Sequence, residues 1–358
     1  MRLGTCIALE LAALAGAVGG VWFVASRGPE LVSAYVDRHQ ASAATTADLP
    51  SGTIVPLERS RLAARRAPDT VFGAPDPELL APLAATPVTR VKINRGGSSL
   101  SLRLEFASGA RAAFKPMQIH PQSDPRREIA AYRIDRLLGI GHVAPAKSAA
   151  FAVEDLIAAA DPANRGVTGS RIEQEGIARD GKLCGELSWW IPEIKRVRIG
   201  GRYVDEPDGE ALWTEYLQAG AVIPGELRPM LAQLAAVIVF DVVIDNSDRW
   251  SGNNTQGSPD DRILYFMDNT LAFSQYTIGH TANLARLYRI QVFPRGLIGR
   301  VRTLNAEAVA AALAHDDVLG PLLSEAEIRA VMSRRDHLVE YVDRLIADLG
   351  EDAVLALP

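Results

Sequence analysis

Asp245-Asn246-Ser247-Asp248-Arg249-Trp250-Ser251-Gly252-Asn253-Asn254 ends the apolar run LRPMLAQLAAVIVFDVVI (residues 227–244), and a second apolar run, ILYFMDNTLAF (residues 263–273), carries Asp268-Asn269. The first run is long enough and apolar enough all round for a buried helix. Its abrupt polar end sets a carboxylate, Asp248, five positions before an amide, Asn253. The second run reads as a buried strand that leaves through an Asx-type turn at Asp268. For a lone aspartate such a turn is explanation enough. Two acidic loops twenty residues apart (248 and 268) place a potential base beside potential metal ligands. Carboxylate and amide oxygens suit Mg²⁺ or Mn²⁺.

Upstream, residues 89–95 and 100–106 alternate apolar and polar side chains between turn formers and read as strands joined by Gly96-Gly97-Ser98-Ser99. A third strand, Arg111 to Lys115, completes a meander that ends in a lysine. A helix follows, with Asp124 as N-cap, Pro125 at its first position, Ala130, Ile134, Leu137 and Leu138 on one face, and Glu128 in its first turns. A backbone close to phosphates, a cation on their oxygens and a carboxylate that fixes the cation are parts that phosphoryl transfer uses. Taken alone, a Gly-Gly hairpin and a helical glutamate are common; their order ahead of the two acidic loops gives them weight. Beyond about residue 226 the chain reads mainly helical, and Ser324-x-x-Glu327 is a capping box. The expected fold is α+β: a small antiparallel-sheet lobe with one helix over 85–190, then a larger, mainly helical lobe over 191–350.

At these residues the sequence resembles the secretory-pathway kinases typified by the Golgi casein kinase and the four-jointed kinase. Phe114-Lys115-Pro116-Met117 and the run from Glu128 to Leu138 are similar to that family's lysine strand and following helix. Phe240 to Arg249 looks like its catalytic loop, and Met267-Asp268-Asn269 like its metal-binding segment. The likeness spans about residues 90–345 and implies a two-lobed protein-kinase-like fold, also shared with HipA-type kinases. It implies ATP and Mg²⁺ or Mn²⁺ as cofactors. Lys115 would bind the phosphates, with Gly96 and Gly97 in the covering hairpin and Lys92 as the alternative lysine. Glu128 would pair with Lys115 or assist the metal, Asp248 would orient or deprotonate the acceptor hydroxyl, and Asp268 would hold the metal. Asn253 resembles the metal-binding asparagine of phosphoinositide-kinase-like loops and is assigned as second ligand. Trp250 and Ser251 replace the family's usual histidines, and the cysteines that form disulfides in secreted animal members are missing.

The implied activity is transfer of the γ-phosphoryl of ATP to a hydroxyl, with Ser or Thr of a protein as the first acceptor. A sugar or lipid hydroxyl, or a membrane-tethered pseudokinase that binds nucleotide without turnover, are the alternatives. A formal net charge of −5 lacks the basic footprint of a nucleic-acid binder, so no nucleic-acid partner is expected. Only Cys6 and Cys184 are present, which excludes a disulfide framework and a cysteine-rich zinc site.

Residues 7–25, IALELAALAGAVGGVWFVA, are nearly long enough for a membrane-crossing helix and are interrupted only by Glu10. Phe23 occupies a position where a cleaved signal needs a small residue, so 1–27 reads as an uncleaved signal anchor ahead of the alternative, a cleaved signal peptide, and the body is expected to be extracytoplasmic, either membrane-anchored or exported. Residues 28–84 read as linker and extension, with a small polar spacer at 41–52. Trp189-Trp190-Ile191-Pro192 falls between the lobes, where core packing is expected before adenine stacking. Segments 155–185 and 276–300 read as surface connections.

Overall fold

Alternation of apolar side chains builds β2 (Leu102–Phe106) and β3 (Arg111–Pro116), and β1 (Val88–Ile93), irregular in register between Val88 and Arg90, completes the expected antiparallel meander. The computed structural model describes residues 70–94, 98–313 and 315–358. Gly96 and Gly97 of the hairpin, the linker up to residue 69 and the apolar stretch 7–25 lie outside the described residues. Because successive strand side chains leave opposite faces, Phe114 is buried in the core of the small lobe while Lys115 lines a cavity on the other face.

A short helix, α1 (Asp76–Leu80), precedes the meander, and the next helix, α2 (Pro125–Leu137), begins as its sequence requires. The Asp124 side chain accepts the Arg126 N–H at 3.0 Å, and Pro125 occupies the first turn. Ile129, Ala130 and Ile134 of α2 join the core of the larger lobe, with Val239 and Phe240, and not the core of the sheet. Glu128 is thereby fixed to the lobe that carries Asp268.

The sheet is completed by β4 (Ala146–Ala152), β5 (Ala178–Arg179) and β6 (Lys182–Trp189) in the order β1-β2-β3-β6-β4, with β5 on the edge of β6. All these pairings are antiparallel, and Lys115 stands opposite Glu186 across β3 and β6. Gly185 is required there. A Cβ at this position would lie 2.2 Å from the Lys115 carbonyl oxygen and 2.6 Å from the Pro116 Cα.

Residues 155–185 are not the surface connection expected. They form the end of α3 (Val153–Ala158), then α4 (Arg165–Glu175), β5 and the start of β6. α4 buries only Thr168, Gly169 and Ile172, too few apolar positions to print a helical period in the sequence. Residues 70–83, assigned to the extension, pack on the body: Leu83 is buried, and Phe72 contacts the rings of Tyr265 at 5.7 Å and Trp189 at 5.8 Å. Trp189 thus packs among aromatic neighbours, as expected of it.

The larger lobe begins with the short strands β7 (Lys195–Arg196), β8 (Arg198–Ile199) and β9 (Arg202–Tyr203) and with α5 (Pro207–Tyr216). The apolar run then forms α6 (Arg228–Ile244), buried along most of its length. After β10 (Gln256–Gly257), the helices α7 (Thr281–Leu287), α8 (Arg295–Thr303), α9 (Ala306–Leu313), α10 (Glu325–Leu349) and α11 (Glu351–Val354) complete the lobe. Ser324 and Glu327 form the expected capping box of α10. Part of the 276–300 segment is also helical, in α7 and α8. Among the described residues no helix is long and apolar enough to cross a membrane.

The strand expected over 263–273 does not form. This stretch makes a single bridge, Leu264 to Gly257, and turns at Asp268 and Phe273, both with positive φ. Its apolar side chains are buried as in a strand, while much of its backbone bonds to side chains and turns. His142 receives part of that backbone: its ring N–H donates to the Leu264 carbonyl at 2.7 Å, and its own carbonyl accepts the Phe266 N–H at 3.1 Å. Burial, with a contribution from Arg136, lowers the His142 pKa to about 4.

A folded-state pKa below the ordinary 6.5 means that neutral His142 adds stability above pH 6.5, and that this is lost as pH falls through about 4. His142→Gln, which retains an N–H donor and does not titrate, is expected to flatten this acid limb by about 1–2 kcal/mol after allowance for solvent screening. Denaturant unfolding of both proteins from neutral pH down to about 4 measures it, and parallel pH curves would refute it.

Candidate active site

Lys115 brings together the two sequence-distant carboxylates assigned to metal and phosphate binding. Its ammonium lies 2.5 Å from Glu128 Oε1 and 2.9 Å from Asp268 Oδ1. Burial opposes the charge on Lys115, but Glu128 and Asp268 outweigh it and hold the lysine above its ordinary pKa. Lys115 in turn pulls the Asp268 carboxyl below its usual range.

The second oxygen of Glu128 is equally occupied. Oε2 accepts the backbone N–H of Asn269 at 3.0 Å and its side-chain amide at 3.2 Å. Asn269 Oδ1 accepts from Asn246 Nδ2 at 3.2 Å and from Arg249 at 2.6 Å. Asn246 also donates to the Asp268 carbonyl at 3.1 Å, and its Oδ1 accepts the Asp248 N–H at 3.1 Å. One buried asparagine therefore ties the backbone of the Asp248 loop to that of the Asp268 loop.

The apolar helix α6 delivers this loop. Asp245 closes it with φ 58°, the left-handed conformation that aspartate tolerates better than most residues. Its buried carboxylate accepts the His280 N–H at 2.8 Å, the Asn283 side chain at 3.1 Å and the Ser274 hydroxyl. The ring of His280 pairs with it at 2.7 Å. Asp248 follows half-buried, its Oδ2 accepting Asn254 Nδ2 at 3.0 Å and its Oδ1 accepting the Ser251 hydroxyl.

Beneath the loop, Arg249 is fully buried, donating to Asp241 at 3.3 Å and to the Met267 carbonyl. Breaking such a pair leaves a charge uncompensated in the interior. Asp241→Ala is expected to cost about 3–5 kcal/mol. Thermal or denaturant unfolding checks this, and a loss below about 1 kcal/mol would contradict it.

Lys115, Glu128 and Asp268 line a cavity of about 1100 Å³ between the lobes. Lys92, Asn253 and Asn254 line it as well. Lys92 lies 3.7 Å from Asp161, at a distance from an acid that leaves Lys115 as the lysine at the centre of the cluster. Asn253 is exposed, and its side-chain amide makes no hydrogen bond among the described residues, whereas Asn254 is committed to Asp248. Trp190 lines the wall with the Arg103 guanidinium 5.5 Å from its ring centre.

Four contributors escaped sequence reasoning: Asn246, Asn269, Arg249 and Glu186. The first three lie within two residues of the assigned aspartates, in the same two polar interruptions of apolar sequence. Glu186 carried none, because a glutamate in the strand KLCGELSW has the pattern of a surface position. In the fold it is 4% exposed and lines the same cavity.

No protein-family model matches the sequence, and no curated protein matches it either. Solved structures do. The Golgi casein kinase superposes with TM-score 0.61 at 16% identity over 78% of each chain, and the same values hold for the Golgi casein kinase with Mn/ADP bound. The chain has the fold of the secretory-pathway kinases. Hydra Fam20 with sugar superposes with TM-score 0.58 at 17% identity, over 77% of this chain and 90% of that one.

Proposed function

We propose that the protein is an atypical kinase that moves the γ-phosphoryl of ATP to a hydroxyl acceptor, Ser or Thr of a protein, on the extracytoplasmic side of a membrane. The observation that carries the reading is Lys115 spanning Glu128 and Asp268 in a nucleotide-sized cavity, with Asn246 joining the Asp268 and Asp248 loops. The fold likeness to a kinase with Mn/ADP bound supports it.

The donor set fits a divalent cation. The Lys115 ammonium acts as a stand-in, already bridging two carboxylates. Three carboxyl groups, Glu128, Glu186 and Asp268, line the cavity with this one ammonium, more acid groups than a single lysine can pair. Asp268 would hold Mg²⁺ or Mn²⁺, with Glu128 assisting and the uncommitted amide of Asn253 available. When bound, the cation would neutralise phosphate charge.

The chain's own groups supply the rest. Lys115 draws phosphate oxygens towards the sheet, and the cavity wall encloses the base. Asp248 accepts the acceptor's hydroxyl proton as that oxygen bonds to the γ-phosphorus. The bond from this phosphorus to the bridging oxygen of ADP breaks, and ADP leaves with the electron pair. Catalysis then rests on positioning and electrostatics and needs no covalent enzyme intermediate.

Thermal melting with ADP and Mn²⁺ or Mg²⁺ tests the site. At a hundredfold excess over Kd, stabilisation of about 2.7 kcal/mol is expected, and only with metal present. Labelled-phosphate transfer from ATP to proteins of a lysate tests turnover. Stabilisation without transfer to any acceptor would favour a nucleotide-binding scaffold, and the absence of both would end the proposal.

A further inference from the structure

Glu186 is a buried carboxylate for which the mechanism above has no task. It leaves β6 opposite Lys115 of β3, so the two side chains are cross-strand neighbours on one face of the sheet. Both line the cavity. Yet among the described residues no ion pair reaches Glu186, because the Lys115 ammonium is committed to Glu128 and Asp268. Burial first, and then the Glu128 carboxylate, push the Glu186 carboxyl up to about 8. Ionising this buried carboxyl is opposed by its surroundings, and an amide of the same shape would be better tolerated.

Resting on the proposed kinase reading, we infer that Glu186 is a positioning residue: the second counter-ion of Lys115, holding its ammonium once Glu128 and Asp268 are engaged by metal and nucleotide. The three carboxyl groups cannot all be served by one ammonium, and a divalent cation held by Asp268 with help from Glu128 would draw both away from Lys115. Lysine has a long, flexible stem and a compact charge, so its ammonium can move towards the neighbouring strand without disturbing the sheet. There Glu186 is the remaining acid, attached to the centre of the sheet by pairing on both sides with β3 and β4. Lys115 would keep a fixed distance from the phosphates after giving up its present partners.

This assignment separates two quantities that a merely structural role would move together. Glu186→Gln removes a buried carboxyl that has no ion-pair partner among the described residues and keeps the shape. The unliganded protein is expected to melt roughly 2–4 °C higher. The same variant is expected to bind Mn²⁺–ADP about tenfold more weakly, the scale of losing one buried charge contact. In a transfer assay this loss should appear in the KM for ATP more than in kcat. Glu186→Asp keeps the charge and should bind within about threefold of wild type.

Melting of the full chain without ligand, and calorimetric titration with ADP at saturating Mn²⁺, provide both readouts. Opposite signs in Glu186→Gln, more stable alone and weaker for nucleotide, support the assignment. A variant that melts lower or fails to fold overturns it, as does unchanged ADP affinity or equal weakening in Glu186→Asp. Wild-type protein that binds no Mn²⁺–ADP would instead defeat the kinase proposal, so the two failures are distinguishable.

Discussion

Asp248→Asn is expected to lower the rate of phosphoryl transfer by about 10²–10⁴, the range that a positioned general base contributes, while leaving nucleotide binding unchanged. The substitution removes the proton acceptor and little else. The backbone of Asp248 is placed by Asn246, whose Oδ1 receives its N–H at 3.1 Å, and this bond does not involve the Asp248 side chain. An amide oxygen at the same site can still accept from Asn254, which now donates to Oδ2 at 3.0 Å. The loop should therefore keep its shape, and the melting point should stay within about 2 °C of wild type. Steady-state transfer with labelled ATP, paired with ADP titration, measures both halves of the claim. Activity retained within a few-fold of wild type would remove Asp248 from the chemistry. A parallel collapse of ADP affinity would make it a structural residue instead.

The order of parts was legible in the sequence because each depends on local rules. Strand alternation exposed β1 to β3 and put Lys115 on the face opposite Phe114. Asp124 and Pro125 marked the start of α2, and the all-round apolarity of residues 228–244 marked a buried helix. What stayed hidden depends on tertiary neighbours. Residues 263–273 have a strand's composition, yet β10 offers them only a two-residue edge, and His142 and Asn246 take up further backbone groups.

α4 was invisible because so few of its side chains are buried. Glu186 was invisible for a related reason. A glutamate preceded by glycine in an alternating strand carries no mark that Lys115 lies across from it, since that pairing joins residues seventy-one positions apart (186 − 115). The pairing of the two acidic loops was guessed from their spacing. Its physical cause, a hydrogen-bond chain from Glu128 through Asn269 and Asn246 to Asp248, was not. Such a chain makes the site cooperative: truncating Asn246 would loosen both loops together, because low local dielectric strengthens a satisfied network and penalises a broken one.

Asp268→Asn is expected to abolish metal-dependent nucleotide stabilisation, with loss of the whole shift of about 2.7 kcal/mol seen at a hundredfold excess over Kd. Asparagine is the informative replacement because Asp268 has φ 56°, a left-handed conformation that asparagine adopts readily and alanine does not. Alanine would mix backbone strain with loss of the ligand. With asparagine the Lys115 ammonium keeps Glu128 and loses the favourable pull of the Asp268 carboxylate, so the unliganded protein is expected to melt only slightly below wild type. The side chain of Asp268 is 44% exposed while that of Glu128 is 10% exposed, which leaves Asp268 as the carboxylate able to meet an incoming cation. Mn²⁺ titration followed by melting, with and without ADP, separates the outcomes. If the variant is stabilised by Mn²⁺–ADP as strongly as wild type, the cation is held elsewhere and the role assigned to Asp268 is wrong. If it melts well below wild type before any ligand is added, Asp268 serves the fold through its bond to Lys115 and not the chemistry.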